Sequence, residues 1–346
     1  MRWFKVLALA LMASQAVYAE EIHIIGNIEQ SIAINPLLKS DPSEADYKII
    51  SIPQVELSLK EKNELADRLE KTLHASDEQA PSLLSHATTE QAQLGMSKVP
   101  VLDQGQHGSC AVFAVTAGVD ALLKKGDYVS QLCLLQLGQY LANKTGELSG
   151  WDGGYTSLVF DRMYTYGIIN IANQKQYGCG GAKKYPKNRI LGTEMTDTDY
   201  LKYSEALSQQ TVKATSIERG TKLNQFVTDI KTALKSGNRV LLSVLIPISG
   251  SSSLEPNAWH YYFSDTWVLT DDIAKEARNP AVAMGGHMMI ITGFDDDAVA
   301  MDMTGTRHHG LFKLRNSWGT QVGDWGDFYM SYDYVKTLTA AAEQIN

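Results

Sequence analysis

The apolar positions of the chain fall into two rhythms. Between Ser109 and Lys125, Val112, Phe113, Val115, Val119, Leu122 and Leu123 stand largely at helical spacing, with no proline and with Gly118 the one interior helix breaker. Lys124 and Lys125 suit the negative end of such a helix, and Gly126 suits its C-terminal cap. Further helices are predicted over 129–143, over 155–166 with Gly167 as the stop, and over 223–235 before Gly237. After that the rhythm shortens. Residues 240–248 form a continuous apolar run of strand length, and strands are predicted at 287–291, 311–315 and 328–332. An α+β fold is expected, with a helical lobe at about 97–215 and a β-rich lobe at about 216–346.

Ahead of these lobes the pattern changes. Residues 57–73 place leucines at helical steps with charges between them, which predicts an amphipathic helix. Ile24, Ile34, Ile49, Ile50 and Ile52 suggest extra strands. Residues 75–98 are polar, rich in Ser, Gln, Thr and His, and read as a linker open to cleavage. At the start, Arg2 and Lys5 precede a short apolar run at 6–12, and Val17-Tyr18-Ala19 supplies small enough residues for a cut after Ala19. An export signal over 1–19 is therefore expected, with the remainder secreted or periplasmic. No other stretch approaches the ~20 apolar residues that a membrane span needs.

Composition changes this picture little. At 346 residues the chain is long enough for a good core and two domains. A net charge of −8 offers no footprint for nucleic acid or an anionic membrane. No partner of either kind is expected, and the chain is read as a monomer. The three cysteines do not point to a metal, because no C-x-x-C or H-x-x-x-H pair exists. His308 and His309 are adjacent, so on a strand they face opposite ways.

The chemistry is carried by Asp103-Gln104-Gly105-Gln106-His107-Gly108-Ser109-Cys110. Cys110 opens the first predicted helix, where the dipole and free N–H groups favour a thiolate. Gln104 is placed to aim its amide at a developing oxyanion beside the Cys110 N–H. Far downstream stand Gly285-Gly286-His287 and Asn316-Ser317-Trp318-Gly319. A thiol, an imidazole and a carboxamide are the parts of a nucleophilic site in which His287 takes the thiol proton and Asn316 orients the ring. The bland alternatives are an inert core cysteine, a satisfied core histidine and a strand-end asparagine.

These residues resemble the papain family of cysteine peptidases over roughly 99–335. Its Gln-Gly-x-x-Gly-Ser-Cys is matched by Gln104 to Cys110 at every fixed position, and its Asn-Ser-Trp-Gly by Asn316 to Gly319. Gly285-Gly286 before His287 and Gly293-Phe294-Asp295-Asp296 after it are similar to bacterial members. Gly150-Trp151-Asp152-Gly153-Gly154 matches the cleft-lining glycines whose backbone pairs with substrate.

The resemblance implies a two-lobe papain-like fold and a cysteine endopeptidase with Cys110, His287 and Asn316 catalytic. It implies Gln104 in the oxyanion hole, Gly153, Gly154 and Trp318 at the substrate, and no cofactor. It also implies a pro-segment, taken here as 20–96, that inhibits its own peptidase domain at 97–346. The alternative for that segment is an accessory domain. Where the family has a bonded cysteine pair, this chain has His107 and Trp151, and the aromatic residue that usually follows the nucleophile is Ala111. Export leaves Cys133 and Cys179 as either a bridge or two buried thiols. Two other functions use the same fold: glutamine deamidation or acyl transfer, and binding without catalysis.

Overall fold

The computed structural model describes residues 21–39, 46–78, 90–188, 194–249 and 254–346. The expected export signal lies outside them. The chain starts with a long antiparallel hairpin, β1 (Ile22–Ala33) and β2 (Tyr47–Leu57), followed by the amphipathic helix α1 (Leu59–Glu78). β2 buries Ile50, Ile52, Val55 and Leu57, with Ile50 and Ile52 fully buried.

The helical lobe contains α2 (Cys110–Leu123), α3 (Gln131–Thr145), α4 (Thr156–Tyr166), α5 (Ile171–Tyr177) and α6 (Asp197–Leu201). α2 is buried along nearly its whole length, as its all-round apolar sequence requires. It ends on Lys124 in a left-handed conformation. Gly118 is needed for close approach, because a Cβ there would stand 2.5 Å from Ile345 of the last strand. Cys133 and Cys179 are joined in a disulfide, with their Cα atoms 4.9 Å apart. The bridge ties α3 to the loop after α5.

The β-rich lobe is one sheet that curls back on itself. Its strands are β3 (Gln91–Gln93), β4 (Ala214–Ser216), β5 (Arg239–Ile248), β6 (Ala258–Trp259), β7 (Thr266–Trp267), β8 (Ala283–Asp302), β9 (Arg307–Arg315), β10 (Asp327–Ser331) and β11 (Thr339–Ile345). Helices α7 (Leu223–Lys235), α8 (Asp271–Arg278) and α9 (Tyr332–Leu338) cover it. β8 organises the lobe, pairing with β5 and β9 along its length and with β2, β3 and β6 over shorter stretches.

Several expectations shift. The strand expected at 287–291 is the middle of the much longer β8. The last predicted strand ends at Ser331, where the Ser331 hydroxyl accepts from Tyr334 N–H and caps α9 instead. Residues 91–93, expected in a linker and in the pro-segment, form β3 against Gly293–Asp295 of β8, so they belong to the β-rich lobe. Residues 79–89 of that linker lie outside the described residues.

Candidate active site

Cys110 takes the first position of α2, at the seam where α2 packs on β8. His287 is on β8, and Asn316 follows directly on β9, its neighbour in the sheet. Thus a helix N-terminus and two adjacent strands bring the three residues together. Cys110 and His287 line one cavity of about 100 Å³, together with Gly154, Thr156, Val244, Gly286 and Glu343.

The imidazole is fixed from two sides. Its Nε2 stands 2.9 Å from Asn316 Oδ1, which also accepts from Ser317 N–H at 2.7 Å. That second bond fixes which end of the amide is oxygen. An oxygen can only accept, so Nε2 carries the proton and Nδ1 carries the lone pair. Among the described residues Nδ1 has no hydrogen-bond partner, and it is buried. Trp318 stacks on the ring at 4.5 Å between centroids, tilted by 23°. Expected at the substrate, Trp318 is instead 0% exposed and absent from the cavity lining. It shields the His287–Asn316 bond from water, which strengthens it.

Gln104 is also wholly buried. Ser317 Oγ donates to its Oε1 at 2.6 Å, which fixes the other end of the amide as Nε2. That Nε2 donates to His107 O at 2.7 Å and to Ser51 O at 3.3 Å. Ser51 belongs to β2. The expected oxyanion donor therefore meets a carbonyl of the N-terminal hairpin.

The hairpin covers the rest of the cleft as well. Gly153 has φ +123°, and a Cβ there would lie 2.9 Å from Ile24 and 3.4 Å from Pro53. Ile22, Ile24, Pro53 and Val55 wall the cavity that holds Cys110. Gln54 and Val55 pair with Gly285 and Met284. The Gly-Gly before His287 thereby gains a reason, since a Cβ on Gly285 would fall 2.2 Å from Ile52.

This cover sets the electrostatics. Burial pushes the Cys110 thiol up to about 11, against backbone donors at Met288, Ala111 and Cys110 itself that pull it down. The sequence favoured a thiolate from the helix dipole, but with the hairpin excluding water desolvation prevails. Burial also drives His287 down to about 4, against the pull of Asn316. Both groups are neutral in this state. Glu343, missed in the sequence because it stands in an ordinary strand, sits at the same cavity. Burial raises it to about 7, while a bond from Thr156 pulls it down and Glu218 adds to the rise.

The lost cysteine pair is replaced by ring packing. His107 and Trp151 have centroids 4.7 Å apart, and Tyr185 stacks on Trp151 at 5.6 Å. Among its described residues, the aromatic-rich excursion 249–283 contributes nothing to the cavity lining. It holds the hairpin instead, with Glu255 Oε1 accepting from Ala33 N–H at 2.8 Å.

A profile of the papain family cysteine proteases matches residues 89–345. The chain belongs to this family. It is a cysteine-type peptidase with the papain-like α+β fold of two lobes. Among solved structures it is similar to xylellain, a cysteine protease from Xylella fastidiosa, at 18% identity over 74% of this chain and 85% of that one, TM-score 0.45. It is also similar to the bromelain protease of Ananas comosus, at 16% identity over 73% and 96%, TM-score 0.43. A third is digestive procathepsin L 3 of Tenebrio molitor larval midgut, at 17% identity over 82% and 78%, TM-score 0.43. No curated protein sequence matches the chain. The matched residues begin after the hairpin and α1, so the peptidase carries its cleft cover on a segment outside the family match.

Proposed function

We propose that the chain is exported as a latent endopeptidase and that its N-terminal hairpin and helix are a removable pro-segment. The observation that carries this is the bond from Gln104 Nε2 to Ser51 O: the group that would serve the oxyanion is engaged by the chain's own N-terminal segment. Helix α1 anchors that segment on the β-rich lobe. Glu61 and Arg68 form a buried pair at 2.8 Å, Arg68 Nε donates to Thr337 O at 3.0 Å, and Arg219 approaches Glu61 at 3.4 Å.

In the uncovered enzyme Cys110 attacks the peptide carbonyl. His287 accepts the thiol proton at Nδ1 and returns it to the leaving amine, while Asn316 holds Nε2. Gln104 and the Cys110 N–H stabilise the oxyanion. The substrate backbone lies along Gly153–Gly154. The enzyme acts as a monomer on proteins or peptides, without a cofactor.

The test compares full-length chain with chain cut once in the 75–98 segment, for peptide cleavage and for alkylation of Cys110 scored by intact mass. Cutting is expected to raise both. Cys110→Ala and His287→Ala are expected to abolish turnover with an unchanged thermal transition. Cleavage by a folded Cys110→Ala protein sinks the mechanism.

A further inference from the structure

One strand of the cover reads the cleft from end to end. Moving along β2 from Lys48 to Val55, the contacts pass from Asp103 and Trp318, to Gln104 at Ser51, to Gly153 at Pro53, and then into the cavity at Val55. On the proposed path, with the acyl part of the substrate along Gly153–Gly154, Asp103 and the Trp318 carbonyl, which β2 meets on the other side of Gln104, fall on the side of the leaving amine.

At that far end Lys48 Nζ is held at 2.5 Å from Asp103 Oδ1 and 2.8 Å from Trp318 O. Both Lys48 and Asp103 side chains are 18% exposed. The cradle is shaped to take such a group. Gly319, at φ +81°, would bring a Cβ within 3.2 Å of the Lys48 nitrogen. Gly105 N–H donates to Asp103 Oδ1 at 3.1 Å and Lys187 holds Oδ2 at 2.8 Å, so the carboxylate is fixed in place without Lys48.

We propose that Asp103, the Trp318 carbonyl and the Gly319 turn form a primed-side subsite that receives the ammonium or guanidinium of a substrate lysine or arginine, and that Lys48 fills it in the latent chain. The proposal rests on the pro-segment reading, because only departure of Lys48 leaves the subsite vacant. A strand advances ~3.3 Å per residue, so Lys48 lies ~10 Å along the cleft from Ser51. The basic residue therefore falls within about three residues after the scissile bond. The whole subsite lies within the family-matched part, so it persists after the segment leaves.

Two arms test this, the first on the full chain and the second on cut chain. In the first, Cys110 alkylation by iodoacetamide is timed for Lys48→Met, Asp103→Asn and the double variant. Asparagine keeps an acceptor for Gly105 N–H. Each single change is expected to speed labelling ~10-fold, as loss of a half-buried charge pair does, and the double change no further. In the second, chain cut in the 75–98 segment and freed of the released segment is given peptide pools carrying lysine, arginine, norleucine or glutamate at the three positions after the cut. Lysine and arginine are expected to be preferred over norleucine ~10-fold in kcat/KM, and Asp103→Asn in the same background to bring the ratio near one. Additive labelling rates, or a ratio near one with Asp103 intact, overturn the subsite. If uncut wild-type chain is already as active as cut chain, the latent reading falls instead, and the peptide ratio in the freed cut chain still decides the subsite.

Discussion

On the pro-segment reading, Gln104 serves two states with one side chain. Its Nε2 is satisfied by His107 O and Ser51 O while the cleft is covered. When the segment leaves, the place of Ser51 O becomes free for a substrate oxygen. Gln104→Ala is therefore expected to act in opposite directions. In cut chain, kcat should fall ~10²–10³-fold with little change in KM, as loss of one oxyanion donor does. In uncut chain, Cys110 labelling should become faster, since the hairpin loses a donor. Unchanged kcat in cut chain would make Gln104 a purely structural residue. At this scale the sequence was most informative: Cys110, His287, Asn316 and Gln104 stand in local motifs, and the fold brings them together. Trp318 stood in a motif too, yet its burial depends on β10 and on Trp267, which no local pattern records.

Elements explain what the motifs left out. Helix α2 was legible because its period, its cap and its lack of proline agree. The hairpin was only hinted at by isoleucines, because its partners are distant: β2 meets β8 across more than two hundred residues. Its cover of the site is a tertiary fact with no local signal. The glycines of β8 record it indirectly. Gly285 has no left-handed backbone angle, so alanine fits the strand itself. The added methyl meets Ile52 of the segment at 2.2 Å and, less severely, Ile248 at 2.9 Å. Overpacking of this kind costs about 1–3 kcal/mol. Gly285→Ala should thus loosen the cover and speed Cys110 labelling in uncut chain by ~10-fold, while cut chain labels at nearly the wild-type rate. Equal labelling of wild-type and variant uncut chains would show that β2 does not seat on β8 in solution.

Over the whole molecule, the proposed latency is a balance between burial of the hairpin and the charges it must leave neutral. Among the acids of α1, Glu61 is buried in the clasp with Arg68 and Arg219, whereas Glu64 and Asp67 face Lys60 and Lys71 on the helix surface. The site itself adds two opposed terms. His287 is held at about 4 when covered, below its ordinary 6.5. The uncovered state then binds the proton more tightly, so closure is strongest above 6.5 and weakens as pH falls toward 4. Glu343 is raised to about 7 from 4.5, so its contribution to closure is present below 4.5 and is lost as pH rises through 7. The two windows overlap and partly cancel in the wild-type chain. Glu343→Gln separates them, because the amide keeps a partner for Thr156 and cannot ionise. With chain cut in the 75–98 segment, the dissociation constant of the released segment is measured from pH 4 to 8. For Glu343→Gln it should be constant above 6.5 and rise on acidification, whereas wild-type should show an added rise toward pH 8. Superimposable curves for the two proteins would mean that the Glu343 carboxyl does not sense the cover.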